Sequence, residues 1–134
     1  QLEVASNNIP GAIRAAESAT LVDPLNAGLF FQLGLLKYNA GDYTGAITSL
    51  ENAVRIVPDY ANAKYFLGLS YAKLNNLESA LAQFEDLAKT NSDNQDVQFV
   101  LKNLRAGKSP FTDAKPPINP RPERAPNPPV EEAN

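Results

Sequence analysis

Residues 33–58 read LGLLKYNAGDYTGAITSLENAVRIVP, and their key positions return 34 residues later in this chain of 134. Leu33-Gly34 recurs as Leu67-Gly68, Tyr43 as Leu77, Ala46-Ile47 as Ala80-Leu81 and Leu50 as Phe84. The register also runs backwards, from Ala46-Ile47 to Ala12-Ile13 and from Val57-Pro58 to Asp23-Pro24. A fixed period of this length, holding two apolar patterns of helical spacing, marks an array of stacked helix pairs. Each pair buries its apolar face only against its neighbours.

Working outward, the unit 27–60 predicts helix A over 27–40 and helix B over 43–57, and the unit 61–94 repeats them over 61–74 and 77–90. Gly41-Asp42 and Asn75-Asn76 join the helices of each pair, and Asn7-Asn8 stands at the same place in the earlier copy. Gly, and after it Asn, tolerates the left-handed conformation that ends a helix, while Asp and Asn cap the next one. Residues 1–26 read as the C-terminal part of a truncated unit, with the end of a first helix over 1–6 and helix B from Ile9 to Leu21. Pro10 is tolerated in its first turn, where an N–H has no intrahelical partner to lose. Small residues at Gly34 with Ala46, and at Gly68 with Ala80, are expected where the paired helices cross.

Asn94 opens a capping helix in the segment 95–107, with Val97, Val100, Leu101 and Leu104 on one face and Gln98, Lys102 and Arg105 elsewhere. Such a helix covers the last pair and turns a polar side to water. From 108 to 134, Pro110, Pro116-Pro117, Pro120, Pro122 and Pro128-Pro129 punctuate a stretch poor in apolar residues. A disordered, Pro-rich tail favouring extended polyproline II is expected there.

Phe30-x2-Leu33-Gly34, Ala46-x3-Leu50 and Pro58, followed by Leu67-Gly68-x2-Tyr71 and Ala80-x3-Phe84, resemble the tetratricopeptide repeat (TPR) pattern W-x2-L-G-x2-Y, A-x3-F, P. The likeness covers roughly residues 1–106 and departs at Lys64, where a large apolar residue is usual, and at Ser92, where a third Pro is expected. It implies an all-α fold, a right-handed superhelical array of antiparallel helix pairs (a TPR solenoid), here with a disordered Pro-rich C-terminal tail. It also implies a concave groove lined by the A helices, whose partner-facing position holds Phe31, Tyr65 and, in the capping helix, Phe99. Leu35 and Leu69 follow one turn on, then Tyr38, with Asn39, Asn62, Lys73 and Lys102 edging the strip. The same rings also suit core packing against neighbouring helices, and both readings stand at this point. TPR domains that hold an acidic chaperone terminus place Lys and Asn where Phe31, Leu35, Tyr65 and Leu69 stand here, so that ligand is not expected.

Composition excludes several chemistries. There is no Cys and no His, so thiolate and imidazole catalysis and their metal ligation are absent, and the net charge of −3 argues against a nucleic-acid surface. No apolar run approaches the ~20 residues of a membrane span, so no direct membrane insertion is expected. Asp93 and Asp96 lack the Gly and closing Glu of a calcium loop and suit the start of the capping helix instead. Glu17, Glu51 and Glu85, spaced by 34, are expected on the solvated outer side. Neither a metal nor a cofactor is expected. The expected function is a non-catalytic interaction module binding a peptide or protein partner on the concave helix-A face, with the chain's own Pro-rich tail as a further candidate occupant. The alternative is a structural spacer or assembly domain of a larger protein, membrane-anchored or enzymatic, because the chain opens at Gln1 inside a repeat.

Overall fold

The computed structural model describes residues 8–114, so the helix end expected over 1–6 and the Pro-rich stretch beyond residue 114 lie outside the described residues. Among these residues six helices follow one another: α1 (Ile9–Val22), α2 (Ala27–Asn39), α3 (Tyr43–Ile56), α4 (Ala61–Lys73), α5 (Leu77–Thr90) and α6 (Gln95–Arg105). Their bounds fall within two residues of the periodic pattern. The turn chemistry is also as read: Gly41 and Asn75 adopt φ of 86° and 62°. The next residue in each case caps a helix, Asp42 accepting from the Gly45 N–H and Asn76 from the Ser79 N–H. Asn26 and Asn94 cap α2 and α6 in the same way.

Each helix packs on the next, and the A helices α2 and α4 also touch directly. The pairs close where a side chain is missing. A Cβ on Gly34 would stand 2.6 Å from Leu50 Cγ and Cδ2, and one on Gly68 would stand 2.5 Å from Phe84 Cε2. The residues that fill the gap are therefore Leu50 and Phe84, one turn beyond the Ala46 and Ala80 expected from sequence. Those two alanines are nonetheless fully buried beside them.

The central helix α4 is buried nearly all round, with Ala61, Ala63 and the run Tyr65–Ser70 in the core. Phe66 is its hub, with ring centroids 6.3 Å from Phe31, 5.6 Å from Tyr38 and 5.3 Å from Tyr65. Tyr65 also meets Phe84 edge-on at 5.4 Å. Edge-to-face rings of this kind add to the stabilisation that burial alone provides.

The evenly spaced glutamates do more than solvate the outer side. Glu17 pairs with Lys37 at 3.3 Å, Glu51 accepts from the Tyr71 hydroxyl at 2.6 Å, and Glu85 meets Arg105 at 3.7 Å. Donors and acceptors both step by 34, so each contact ties a B helix to the A helix after it. Being exposed, each stabilises by no more than about 1 kcal/mol, but the set repeats the register of the array.

Two outcomes follow from this packing. Gly68→Ala gains up to about 1 kcal/mol of helix propensity yet drives a methyl into Phe84, an overpacking cost of about 1–3 kcal/mol. A net loss of stability in urea denaturation is expected; a gain would remove the close crossing. The second outcome concerns alkali. Burial, then the neighbouring Tyr43, pushes the Tyr38 phenol up from 10.0 to about 12. Burial, then the bond to Glu51, pushes Tyr71 up to about 12. Burial, then Asp96 and Tyr38, raises Tyr65 as well. A phenol whose folded pKa lies above its unfolded value holds its proton more tightly when folded. This contribution is complete below pH 10 and is lost as pH rises through 12. The melting temperature is expected to fall across that window, and to fall less in a Tyr38→Phe, Tyr65→Phe, Tyr71→Phe variant; equal slopes would contradict it.

Candidate functional site

The residues expected to line the groove separate into two sets. Phe31, Leu35, Tyr38, Asn62 and Phe99 are half-buried, and Asn39, Lys73 and Lys102 are exposed. Tyr65 and Leu69 are buried, at 0% and 3% exposure, so for Tyr65 the core-packing alternative is what the structure shows. Its ring is held between Phe66 and Phe84, and its hydroxyl has no hydrogen-bond partner among the described residues. Phe31 packs forward, 5.2 Å from the Tyr60 ring at the start of α4. Lys102 stands 34 residues after Gly68 and is exposed.

Leu69 lines one side of a pocket whose other side is the chain beyond α6. Lys108 and the residues after it were expected to leave the body as tail, yet Pro110 is buried and Phe111 packs on the core cluster. The cause lies at the end of α6. The helices α2 and α4 each have 13 residues, while α6 has 11. By register the left-handed residue after Gly41 and Asn75 would be Ser109, but Gly107 takes that conformation, at φ 77°. The hydrogen bonds of the stop are otherwise the same: Gly107 N–H donates to Leu104 and Lys108 N–H to Asn103, as Gly41 and Asp42 donate to Tyr38 and Lys37. Turning two residues early, the chain crosses toward the A helices instead of starting another B helix.

Asn103 then anchors it. This side chain occupies the third member of the series Leu35, Leu69, Asn103. It is buried, and its Nδ2 donates to the Pro110 carbonyl at 2.8 Å and to the Thr112 carbonyl at 3.0 Å. Thr112 closes the turn on itself, its Oγ1 donating to the Ser109 carbonyl at 2.8 Å. Beside the turn lies a pocket of about 320 Å³, bounded by Tyr38, Leu69, Ala72 and Lys73 on one side and by Ser109, Pro110, Phe111 and Thr112 on the other. The Lys73 ammonium sits 5.9 Å from the centre of the Tyr43 ring, and Tyr43 meets Tyr38 edge-on at 5.4 Å. Such a pocket offers an apolar floor, one cation and one phenol, which suits binding rather than bond chemistry. Sequence reasoning missed Phe66, Asn103 and the 109–112 turn. The signal for Asn103 was a polar residue at a position that is apolar in both other repeats.

Comparisons with known proteins agree with this architecture. The family model described as Tetratricopeptide repeat matches residues 1–47 and 31–96, together well over half of the chain. A 79-residue stretch is 34% identical to the RNA polymerase-associated protein CTR9 of Saccharomyces cerevisiae, covering 59% of this chain and only 7% of that protein. The crystal structure of MamA superposes with a TM-score of 0.71 at 25% identity, over 75% of this chain and 59% of that one. The first TPR of Spaghetti (RPAP3), bound to the HSP90 peptide SRMEEVD, superposes at 0.70 with 19% identity, over 75% of this chain and 80% of that one, a likeness of fold alone. The 34-residue period, the glycine crossings onto Leu50 and Phe84, and the family match converge: this chain belongs to the tetratricopeptide repeat family.

Proposed function

We propose that this chain is a non-catalytic protein–protein interaction module that receives a peptide or protein segment on the face shared by α2, α4 and α6. The observation that carries this reading is the half-exposed strip Phe31, Leu35 and Tyr38, edged by exposed Asn39 and Lys73, which leads into the pocket beside Leu69. Apolar strips with polar margins are typical of interaction surfaces, and their affinity comes from a few buried anchors rather than from area. The ligand differs in kind from the acidic peptide in the Spaghetti structure. At the positions that would clamp a carboxylate, Phe31, Leu35, Tyr65 and Leu69 offer no charge, and among the described residues Lys73 is the one cation bordering the pocket. An apolar or aromatic side chain in an extended or turned segment fits better.

Selection from a displayed peptide library tests this directly. Enriched peptides are expected to bind the full chain and to lose about tenfold or more with Leu35→Asp, an outcome worth about 1.4 kcal/mol. They should be unaffected by Glu78→Gln, which changes an exposed α5 side chain. No enrichment, or equal binding by both variants, would contradict the assignment.

One observation favours the assembly reading as a second function. Leu21, Val22 and Leu25 are exposed at 82%, 85% and 76% in and beside the turn from α1 to α2. If they seat another copy, sedimentation will show concentration-dependent association that Leu25→Asp abolishes; a monomer at all concentrations rejects it.

A further inference from the structure

We propose that Asn103 and the floor formed by Tyr38, Leu69 and Ala72 make a recognition subsite for a proline–aromatic turn, and that Ser109–Asp113 fills it in cis as an exchangeable plug. The inference rests on the concave-face reading above and adds the chemistry and the regulation of one part of that face. Three observations carry it.

The contacts are those of ligand recognition. A primary amide that donates to two carbonyls two residues apart reads the shape of a turn, not merely its presence. Pro110 supplies a fixed φ and no N–H to desolvate, so it is buried at little polar cost. Phe111 supplies the apolar anchor and packs on the core cluster. Together these are the features by which proline-containing segments dock on aromatic surfaces.

The position is a groove position. Asn103 continues the register of Leu35 and Leu69, and the turn borders the pocket shared with Tyr38, Ala72 and Lys73. A segment entering along Phe31 and Leu35 therefore meets Ser109–Thr112 at the end of its path. It either stops there or displaces the turn.

The hold is slight. Among the described residues, Asn103 contributes the two side-chain hydrogen bonds from the helical body, Phe111 is only half-buried, and a pocket of about 320 Å³ adjoins the turn. The turn's remaining bonds, between Ser109 and Thr112 and between Phe111 and Ala114, are internal to the segment and travel with it. Ordering the segment opposes these few contacts, so closure depends on the tether, which keeps the turn at an effective concentration of order millimolar. A partner with a proline followed by an aromatic residue, able to offer the same pair of carbonyls, competes on equal chemical terms.

The test uses the full chain and a blocked synthetic peptide with the sequence of residues 108–114. In 1H–15N spectra of wild type, the Asn103 side-chain amide reports the closed plug. The full-length Pro110→Gly, Phe111→Ser variant is expected to shift that amide and the backbone amides of Leu69, Ala72 and Lys73. Added peptide should return them saturably toward wild-type positions, while leaving wild type unmoved at the same concentrations, about tenfold or more apart in midpoint. A melting curve and the single variant Phe111→Ser separate release of the plug from loss of fold. An Asn103 amide unchanged in the variant, peptide shifts equal in both proteins, or no saturable shift in the variant up to millimolar peptide would each overturn the proposal. Because the probe is the chain's own sequence, read at Asn103, its failure leaves library-selected binding at Leu35 standing.

Discussion

The array depends on two places where a helix has no side chain. At Gly34 the backbone of α2 meets Leu50, and at Gly68 the backbone of α4 meets Phe84, at distances that no Cβ would allow. These contacts set how closely an A helix lies on its B helix, and hence how near successive A helices come to one another. The direct contact of α2 with α4 and the ring cluster around Phe66 follow from that approach. Close packing of this kind leaves little room to relax, so the same two glycines that permit the pairs also make them stiff. The stiffness has a functional result, because a groove made of A helices keeps its spacing only if each A helix is fixed on its own partner.

Burial along the A helices is then decided by what lies beyond them. Equivalent positions have unequal fates: Phe31 and Leu35 remain half-exposed, whereas Tyr65 and Leu69 are closed off. The difference is not in the residues, which are all large and apolar. α4 packs on α2, α3 and α5 and shares a pocket with the 109–112 turn, while α2 packs on α1, α3 and α4. The electrostatics point the same way. Tyr65 stays neutral in its buried place, and Asp96 at the start of α6 is raised by its own partial burial. The exposed carboxylates of Glu17, Glu51 and Glu85 are each held by a partner on the following helix.

Most of the fold was legible because periodic signals are redundant. Helix bounds, the Gly41-Asp42 and Asn75-Asn76 turns and the Asn94 cap each rest on local chemistry that repeats or is self-contained. The candidate site was legible in part. Periodicity names the residues that share a face but not how deeply each is buried, and so Tyr65 and Leu69 were read alongside Phe31 and Leu35. The boundary drawn at Gly107 failed for a related reason. Composition marks Pro110 as a helix breaker and says nothing of Asn103, seven residues earlier, which receives the chain that Pro110 turns.

Binding and closure thus share one surface: the A helices present an apolar strip, and the chain's own continuation occupies one end of it. The most direct measurement of this account is a set of NOEs from the Asn103 side-chain amide in the full-length protein. Strong cross-peaks from its Nδ2 protons to Pro110 and Thr112, with a Phe111 ring shifted from its free position, are the predicted result. Absent cross-peaks together with free-peptide shifts for residues 109–113 would contradict it, and would leave the groove open along its whole length.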